Sequence, residues 1–580
     1  MKKSIIVICI IVIILIVGLL TFKAFSTNGN SLNYELEKVS EINYKLLKQN
    51  NKFGVINKNG EVVVSPIYDE IDIPNPSKSL FICMYDYNAE NEQYSIKVLN
   101  DKSEQILYEY FIVEAIEINP TISEIPYEKS VLKYKQNGKY GLIDFEGNVI
   151  VKPKYEQIEA LDGVEGLLLV KDKENYGVIN INGDTVIKEK YDSIQADSYL
   201  TNINLSELEK IGFIIGESDN GSFKYGYLNS KGEQILDIKY SQIQRIQNIT
   251  ENNDTYLVAF ENDKVGFYKN SENIIKHEYE DIFYDENNNS LILQKDSKQG
   301  VSDLNGNIFI DIKYDNIFTS GKYINLINGA NVEFYDNLTK QFLNLEKVIA
   351  VNETLNNNLA IVITNDEKHK IWDIQNNEIM DEEYDYLEYM YDDYFIASNG
   401  SKYGIVNVSG KKVVNFKYDF IYQIPNTKIV ECTIDKNNLT DLVCENNVII
   451  SMKNAQINMY DNYLNIQSDK ESIYLDFEGN KLENTHFLNA ELFAINQKGK
   501  WGFVNKNGEI VVKPEFDFVT EMNQFGFAGI KKDGKWGSIN SSGKIVVEPS
   551  YEIDEWASVF FIGKYYEVDL GYGVPYFVCD

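Results

Sequence analysis

Histidine, cysteine and proline are scarce in this 580-residue sequence: there are three, five and ten of them. His277, His369 and His486 lie far apart and no Cys-x-x-Cys occurs, which argues against a zinc site and leaves little material for a Ser–His or Cys–His pair. Gly-x-Ser-x-Gly, His-Glu-x-x-His and the Asp-x-Asp-x-Asp-Gly calcium loop are all missing. No catalytic, cofactor or metal residues are therefore assigned. Cys9 falls in the apolar N-terminus without a lipobox before it, which disfavours a lipoprotein. Cys432 and Cys444 could meet across a hairpin, so a disulfide stays open there. Positive charge is also in short supply, with 55 Lys and Arg against 88 Asp and Glu and a net charge of −33. Such a surface repels phosphate backbones, so nucleic acid is not an expected partner. It serves solubility, or it attracts cations and basic partners.

What is present points to strands. Hydrophobic residues make up 44% of the chain, with 41 Tyr and 29 Phe, while Ala and Pro are few. The N-terminus differs from the rest. Lys2 and Lys3 precede an uncharged aliphatic run from Ile5 to Leu20, extending to Phe22 before Lys23. Eighteen helical residues span about 27 Å, close to a hydrocarbon core. The expectation is one transmembrane helix, with the basic flank cytoplasmic and everything beyond residue 30 extracellular. Ala24-Phe25-Ser26 also leaves cleavage of the segment open. A short helix is expected around residues 32–42.

The body of the chain repeats one pattern. Lys52-Phe-Gly-Val-Ile-Asn-Lys-Asn-Gly-Glu-Val-Val-Val-Ser-Pro-Ile-Tyr68 returns at 139–155, 175–191, 224–240, 298–314, 402–418, 500–516 and 535–551 with identical internal spacing. A glycine six residues after the first glycine, and an aromatic eight further on, define the signature. Its members include Phe53, Gly54, Gly60 and Tyr68; Tyr140, Gly141, Gly147 and Tyr155; and Tyr176, Gly177, Gly183 and Tyr191. Further along come Tyr403, Gly404, Gly410 and Tyr418; Trp501, Gly502, Gly508 and Phe516; and Trp536, Gly537, Gly543 and Tyr551. A shorter copy at 264–279 lacks the second glycine. Decayed copies fit Tyr94–Asn100, Asn331–Asp336, Lys370–Tyr384, Leu442–Ile450 and Ser472–Gly479, giving about thirteen units.

Each part has a physical reading. The apolar runs after the two glycines read as strands. Asn or Asp three residues before the second glycine opens a turn by accepting backbone N–H groups, and glycine closes it at positive φ. A further strand precedes each copy, joined through tight turns such as Asn137-Gly138 and Asp533-Gly534. Pro66, Pro153, Pro514 and Pro549 mark the expected strand ends, since proline donates nothing to a ladder. The Ile three residues past the aromatic (Ile71, Ile158, Ile194, Ile243, Ile317, Ile421) is expected to anchor a returning loop. The unit is thus a three-stranded antiparallel meander. The aromatic–glycine pair is expected to stack repeat on repeat rather than to line a ligand groove. Gly529 to Lys535 matches a phosphate-loop spacing, but Trp536 replaces Ser/Thr and the run is a repeat hairpin.

The block Lys500-Trp-Gly-Phe-Val-Asn-Lys-Asn-Gly-Glu-Ile-Val-Val-Lys-Pro-Glu-Phe-Asp517, with Lys535-Trp536-Gly537, resembles the bacterial WG-repeat (KWG) proteins. Most copies here carry Tyr or Phe for Trp. The resemblance implies a β-rich array and supplies no catalytic residues. The expected class is all-β, as a propeller-like or open superhelical array of repeats behind one transmembrane helix. The expected organisation is an anchor and linker at 1–30, a first half-array at 31–320, and a second at 321–580 with a C-terminal cap from Trp556. The expected role is a membrane-anchored extracytoplasmic scaffold that binds a protein or a cell-envelope glycan. An envelope hydrolase on a propeller-like scaffold and a purely structural spacer are the alternatives.

Overall fold

A computed structural model describes residues 41–580, except 91–92, 111, 119–125, 198–210, 220, 248, 250–253, 445–446, 460–462, 469–471, 483–491, 498, 506–508, 554–558, 569–575 and 579–580. The expected membrane segment, nearly all of the expected helix at 32–42, Gly508 and Trp556 lie outside the described residues. No helix among the described residues is long and apolar enough to cross a membrane. Their only helical turn is the 3-10 turn Asp435–Asn437; the remaining elements are strands in small antiparallel sheets.

Two compact units divide between His277 and Glu278. The boundary expected after residue 320 lies inside the hairpin of Asn316–Ser320 and Tyr323–Asn328, within the second unit. In the first unit a hairpin pair, Tyr44–Gln49 with Lys52–Asn57 and Val62–Tyr68, precedes five four-stranded meanders. The second unit holds six four-stranded and two three-stranded meanders, and the short strands Phe561–Ile562, Tyr565–Val568 and Tyr576–Val578. Each decayed copy supplies a strand: Gln93–Leu99, Asn331–Asp336, His369–Asp373, Leu439–Cys444 and Ser472–Leu475.

One sheet shows how the sequence builds the rest. Its order is Gln157–Ala160, Leu167–Asp172, Asn175–Asn180, Thr185–Tyr191. The first strand corrects the three-stranded expectation. The segment after the aromatic is a strand, not a returning loop, and it begins the next sheet. Ile158 pairs with Val170 and is buried, and Ile71, Ile194, Ile243, Ile317 and Ile421 are buried in the same way. Every such sheet therefore combines strands from two successive sequence repeats.

The turns follow the expected chemistry. Asn180 Oδ1 accepts the N–H groups of Asn182 and Asp184 at 3.0 and 2.9 Å, and Gly183 has φ +83°. Asn137 and Gly138 both have positive φ, as a tight hairpin of right-handed strands requires. The prolines differ from expectation. Val149–Tyr155 runs straight through Pro153, and Val62–Tyr68 through Pro66. Tyr140 pairs with Tyr155 and Leu142 with Val151, so a bulge lies between those rungs. Proline is tolerated because it occupies a bulge on an edge strand, where no ladder donor is needed.

The bulge also accounts for the first glycine of the signature. A Cβ at Gly177 would stand 2.7 Å from the carbonyl oxygen of Ile187, and one at Gly300 would stand 2.7 Å from that of Ile310. The close approach is thus to the bulged neighbour strand of the same sheet.

Within each unit, successive sheets share their cores. Leu142 and Val151 of one sheet, Ile158, Leu168 and Val178 of the next, and Ile194, Phe213 and Ile215 of a third form one buried cluster. In the second unit Ile405, Val414 and Tyr418 meet Ile421, Val430 and Cys432. Burial at about 25 cal/mol per Å² on both faces is what a meander cannot obtain alone. The tail packs on the last meander, with Phe561 against Trp536 and Tyr551, and Ser538 Oγ donates to the Gly563 carbonyl at 2.8 Å. Cys432 and Cys444 are buried and not joined by a disulfide: Cys432 faces Asp441 and Cys444 faces Ile429, so the register keeps them from opposing each other.

Candidate functional site

The signature residues occupy framework positions. Phe53, Tyr140, Tyr176, Tyr403, Trp501 and Trp536 sit beside the bulge on the strand that carries Gly54, Gly141, Gly177, Gly404, Gly502 and Gly537. Tyr68, Tyr155, Tyr191, Tyr418, Phe516 and Tyr551 end the outer strand and oppose them. Gly60, Gly147, Gly183, Gly410 and Gly543 close turns at positive φ. Trp501 and Trp536 are each 6% exposed. Lysines cover many of the rings from the strand next door, as Lys171 does Tyr176 (5.0 Å to the centroid) and Lys531 does Trp536 (5.5 Å).

The acid after each terminal aromatic is engaged as well. Asp315 accepts from Lys298 at 2.5 Å and from the Gly329 N–H at 2.6 Å. Asp517 accepts from Lys500 at 2.6 Å and from the Asp533 N–H at 2.6 Å. These corners tie a repeat to the following hairpin. Among the described residues, no group of three or more His, Cys, Asp or Glu stands so as to hold a metal ion. Gly529 lies in the strand Phe527–Lys532, whose hairpin turns at Asp533-Gly534 into Lys535–Asn540, so the phosphate-loop spacing is indeed a hairpin.

The chemistry gathers elsewhere, in a cavity of about 1410 Å³ in the first unit, lined by segments between residues 72 and 196. The short first strands of successive sheets (Glu70–Asp72, Ile112–Glu114, Gln157–Ala160, Ser193–Ala196) all contribute to it, together with the hairpin Phe81–Asn88 and Gln93–Leu99. Its volume exceeds the few hundred to about 1,000 Å³ usual for small-molecule pockets. Tyr85, Tyr94, Tyr108, Tyr110 and Tyr140 supply aromatic wall, and Tyr108 is 80% exposed. Tyr110 donates to the Gly147 carbonyl at 2.6 Å and is held in place by it.

Six carboxylates and three lysines line the cavity. Asp72 accepts from the Tyr127 hydroxyl at 2.7 Å. Burial pushes its carboxyl up to about 6 against that hydrogen bond, and Glu70, Glu117 and Glu114 push it the same way. Tyr140 is pushed up to about 12, by burial first and then by Glu114, whose Oε1 is 3.4 Å from the Tyr140 hydroxyl. Lys133 pairs with Glu114 at 3.3 Å. The repeat signature pointed to only one lining residue, Tyr140. Ile158 and Ile194 are the recurrent Ile three residues past the aromatic; the carboxylates and the other tyrosines lie outside both, and only the stacking of sheets brings them together.

Five stretches, 53–75, 140–175, 225–248, 403–426 and 501–536, match the model of the WG containing repeat. The chain carries WG-containing repeats at these five places. No curated protein matches it in sequence. Solved structures resemble it weakly. BamB from Moraxella catarrhalis is 14% identical, covering 43% of this chain and 92% of its own, with a TM-score of 0.18. Hsv2 from Kluyveromyces lactis is 12% identical, covering 43% and 91%, with a TM-score of 0.21. At these TM-scores neither likeness bears on the role of the WG-repeat chain.

Proposed function

We propose that this WG-repeat protein is a non-catalytic binding protein of the cell envelope that holds its ligand in the cavity between residues 72 and 196. One observation carries the reading: a cavity of about 1410 Å³ whose tyrosines and carboxylates nearly all lie outside the repeat signature. The repeated positions hold the sheets together, and most of the polar and aromatic residues that converge on the cavity lie outside them. Anchoring through Ile5 to Phe22, with the array outside, is the placement the sequence supports.

Full-length protein and its Tyr108→Ala variant, each cross-linked in cells, test the binding role. Tyr108 is too exposed to matter for folding, so loss of captured envelope material at unchanged melting temperature is the expected result. Equal capture by both proteins would refute the site. Protease added to intact protoplasts tests the placement: release of a fragment carrying the array is expected, and its protection until lysis would reverse the orientation.

A hydrolase is the second reading, favoured by the raised carboxyl of Asp72 beside Glu114 and Glu117. Glycosidases use such a carboxyl as general acid, with a second carboxylate opposite. Release of reducing ends from envelope polysaccharide, abolished by Asp72→Asn, would establish it.

A further inference from the structure

We propose that the occupant of this cavity is an extended polypeptide segment bearing lysine or arginine side chains. The inference rests on the binding reading and specifies the class of ligand. Charge is the first argument. All three lining lysines are already engaged: Lys133 with Glu114 at 3.3 Å, Lys135 over the Tyr140 ring at 4.9 Å, and Lys97 over the Tyr85 ring at 4.9 Å. Four lining carboxylates, Asp86, Glu117, Glu159 and Asp162, are exposed, and none forms an ion pair among the described residues. The charge left for a ligand to meet is negative, so a cationic chain gains from it while a polyanion is repelled.

The aromatic wall is the second argument. Tyr94 lines the cavity and is exposed, and Tyr87, which is not a lining residue, stands against it with ring centroids 4.9 Å apart. Tyr108 offers a further open ring. The protein already lays its own lysines across tyrosine faces throughout both units, at 4.4 Å for Lys154 on Tyr155 and 4.6 Å for Lys190 on Tyr191. A visiting lysine or arginine would rest its alkyl stem and its charge on the open rings in the same way. Size is the third argument. The volume accommodates several residues of extended chain, at about 3.3 Å per residue, where a single amine would leave most of the wall unused.

Calorimetry on the full chain tests the proposal with three probes: a ten-residue peptide alternating lysine and serine, the same peptide with every lysine acetylated, and a neutral oligosaccharide of N-acetylated sugars. Binding of the lysine peptide alone is expected. Its affinity should fall roughly tenfold or more between 50 and 500 mM salt, as an exposed charge interaction does. The double variant Glu117→Gln, Asp162→Asn should lose about tenfold in affinity at an unchanged melting temperature, since both side chains are exposed. Equal binding of the acetylated peptide would overturn the proposal, as would salt-independent binding of the oligosaccharide. Failure of all three probes, with Tyr108-dependent capture in cells intact, would sink the cationic ligand and spare the binding reading. Loss of that capture as well would sink both.

Discussion

The ammonium of Lys500 stands 2.6 Å from a carboxylate oxygen of Asp517, seventeen residues on, and the other oxygen of that carboxylate holds the Asp533 N–H. The same arrangement recurs at Lys298–Asp315 and Lys368–Asp385, where Gly329 and Gly400 supply the N–H. The lysine that opens one repeat is thereby tied to the aromatic–Asp corner and to the next hairpin.

This link predicts an asymmetry. Lys500→Met removes a half-exposed ion pair and should cost no more than about 1 kcal/mol. Asp517→Ala also orphans the Asp533 N–H and should cost more. The lysine and the N–H hold the Asp517 carboxyl below its usual range. Its contribution is therefore present above about pH 4 and is lost as pH falls through the lowered value. Denaturant midpoints from pH 2 to 7 check this, and Asp517→Asn should flatten the acid limb.

Asp72 carries the opposite sign. Its folded value is near 6 and its ordinary one 3.8. The fold gains most from this group when it is protonated, and loses that gain as pH rises from about 4 to about 6. Asp72→Asn should therefore raise stability at pH 7 by roughly 2–3 kcal/mol and change little at pH 4. Chemical denaturation at the two pH values measures the difference. Equal effects at both would mean that the carboxyl is not raised.

Trp501→Ala and Trp536→Ala should each destabilise by about 3–5 kcal/mol, the range for truncating a buried aromatic. A thermal melt decides it. A variant that melts like the wild type yet fails to capture envelope material would move that indole from framework to binding site.

Gly177→Ala tests the bulge. The added methyl would press on the Ile187 carbonyl although the backbone at Gly177 is ordinary, and a cost of about 1–3 kcal/mol is expected. Gly138 has open space around a Cβ and φ +78°, so Gly138→Ala should cost through backbone strain alone, about 1 kcal/mol. Nearly equal costs that both vanish in a peptide hairpin model would remove the steric account.

The turns were legible in the sequence because their chemistry is local: Asn180 and Gly183 need no distant partner to make their bend. Two features were not. The strand Gln157–Ala160 is four residues long with one buried apolar side chain, too little for a periodicity. Pro153 looked like a strand end because the bulge that tolerates it depends on the partner strand. The cavity was illegible for a further reason. Asp72, Glu117 and Asp162 come from separate repeats and share no motif, so only the packing of one sheet on the next makes them neighbours.

The borrowing of each first strand from the preceding repeat has a consequence for how such arrays change over generations. The sequence repeat is offset from the sheet it forms, like overlapping roof tiles. If one whole period is cut at matching points in two repeats, the new junction still joins an outer strand to a first strand of the right register. Length is thus free to drift by single repeats without leaving a raw sheet behind. A break inside one sheet, for example between Ala160 and Leu167, would instead strip that sheet of its leading strand, Gln157–Ala160.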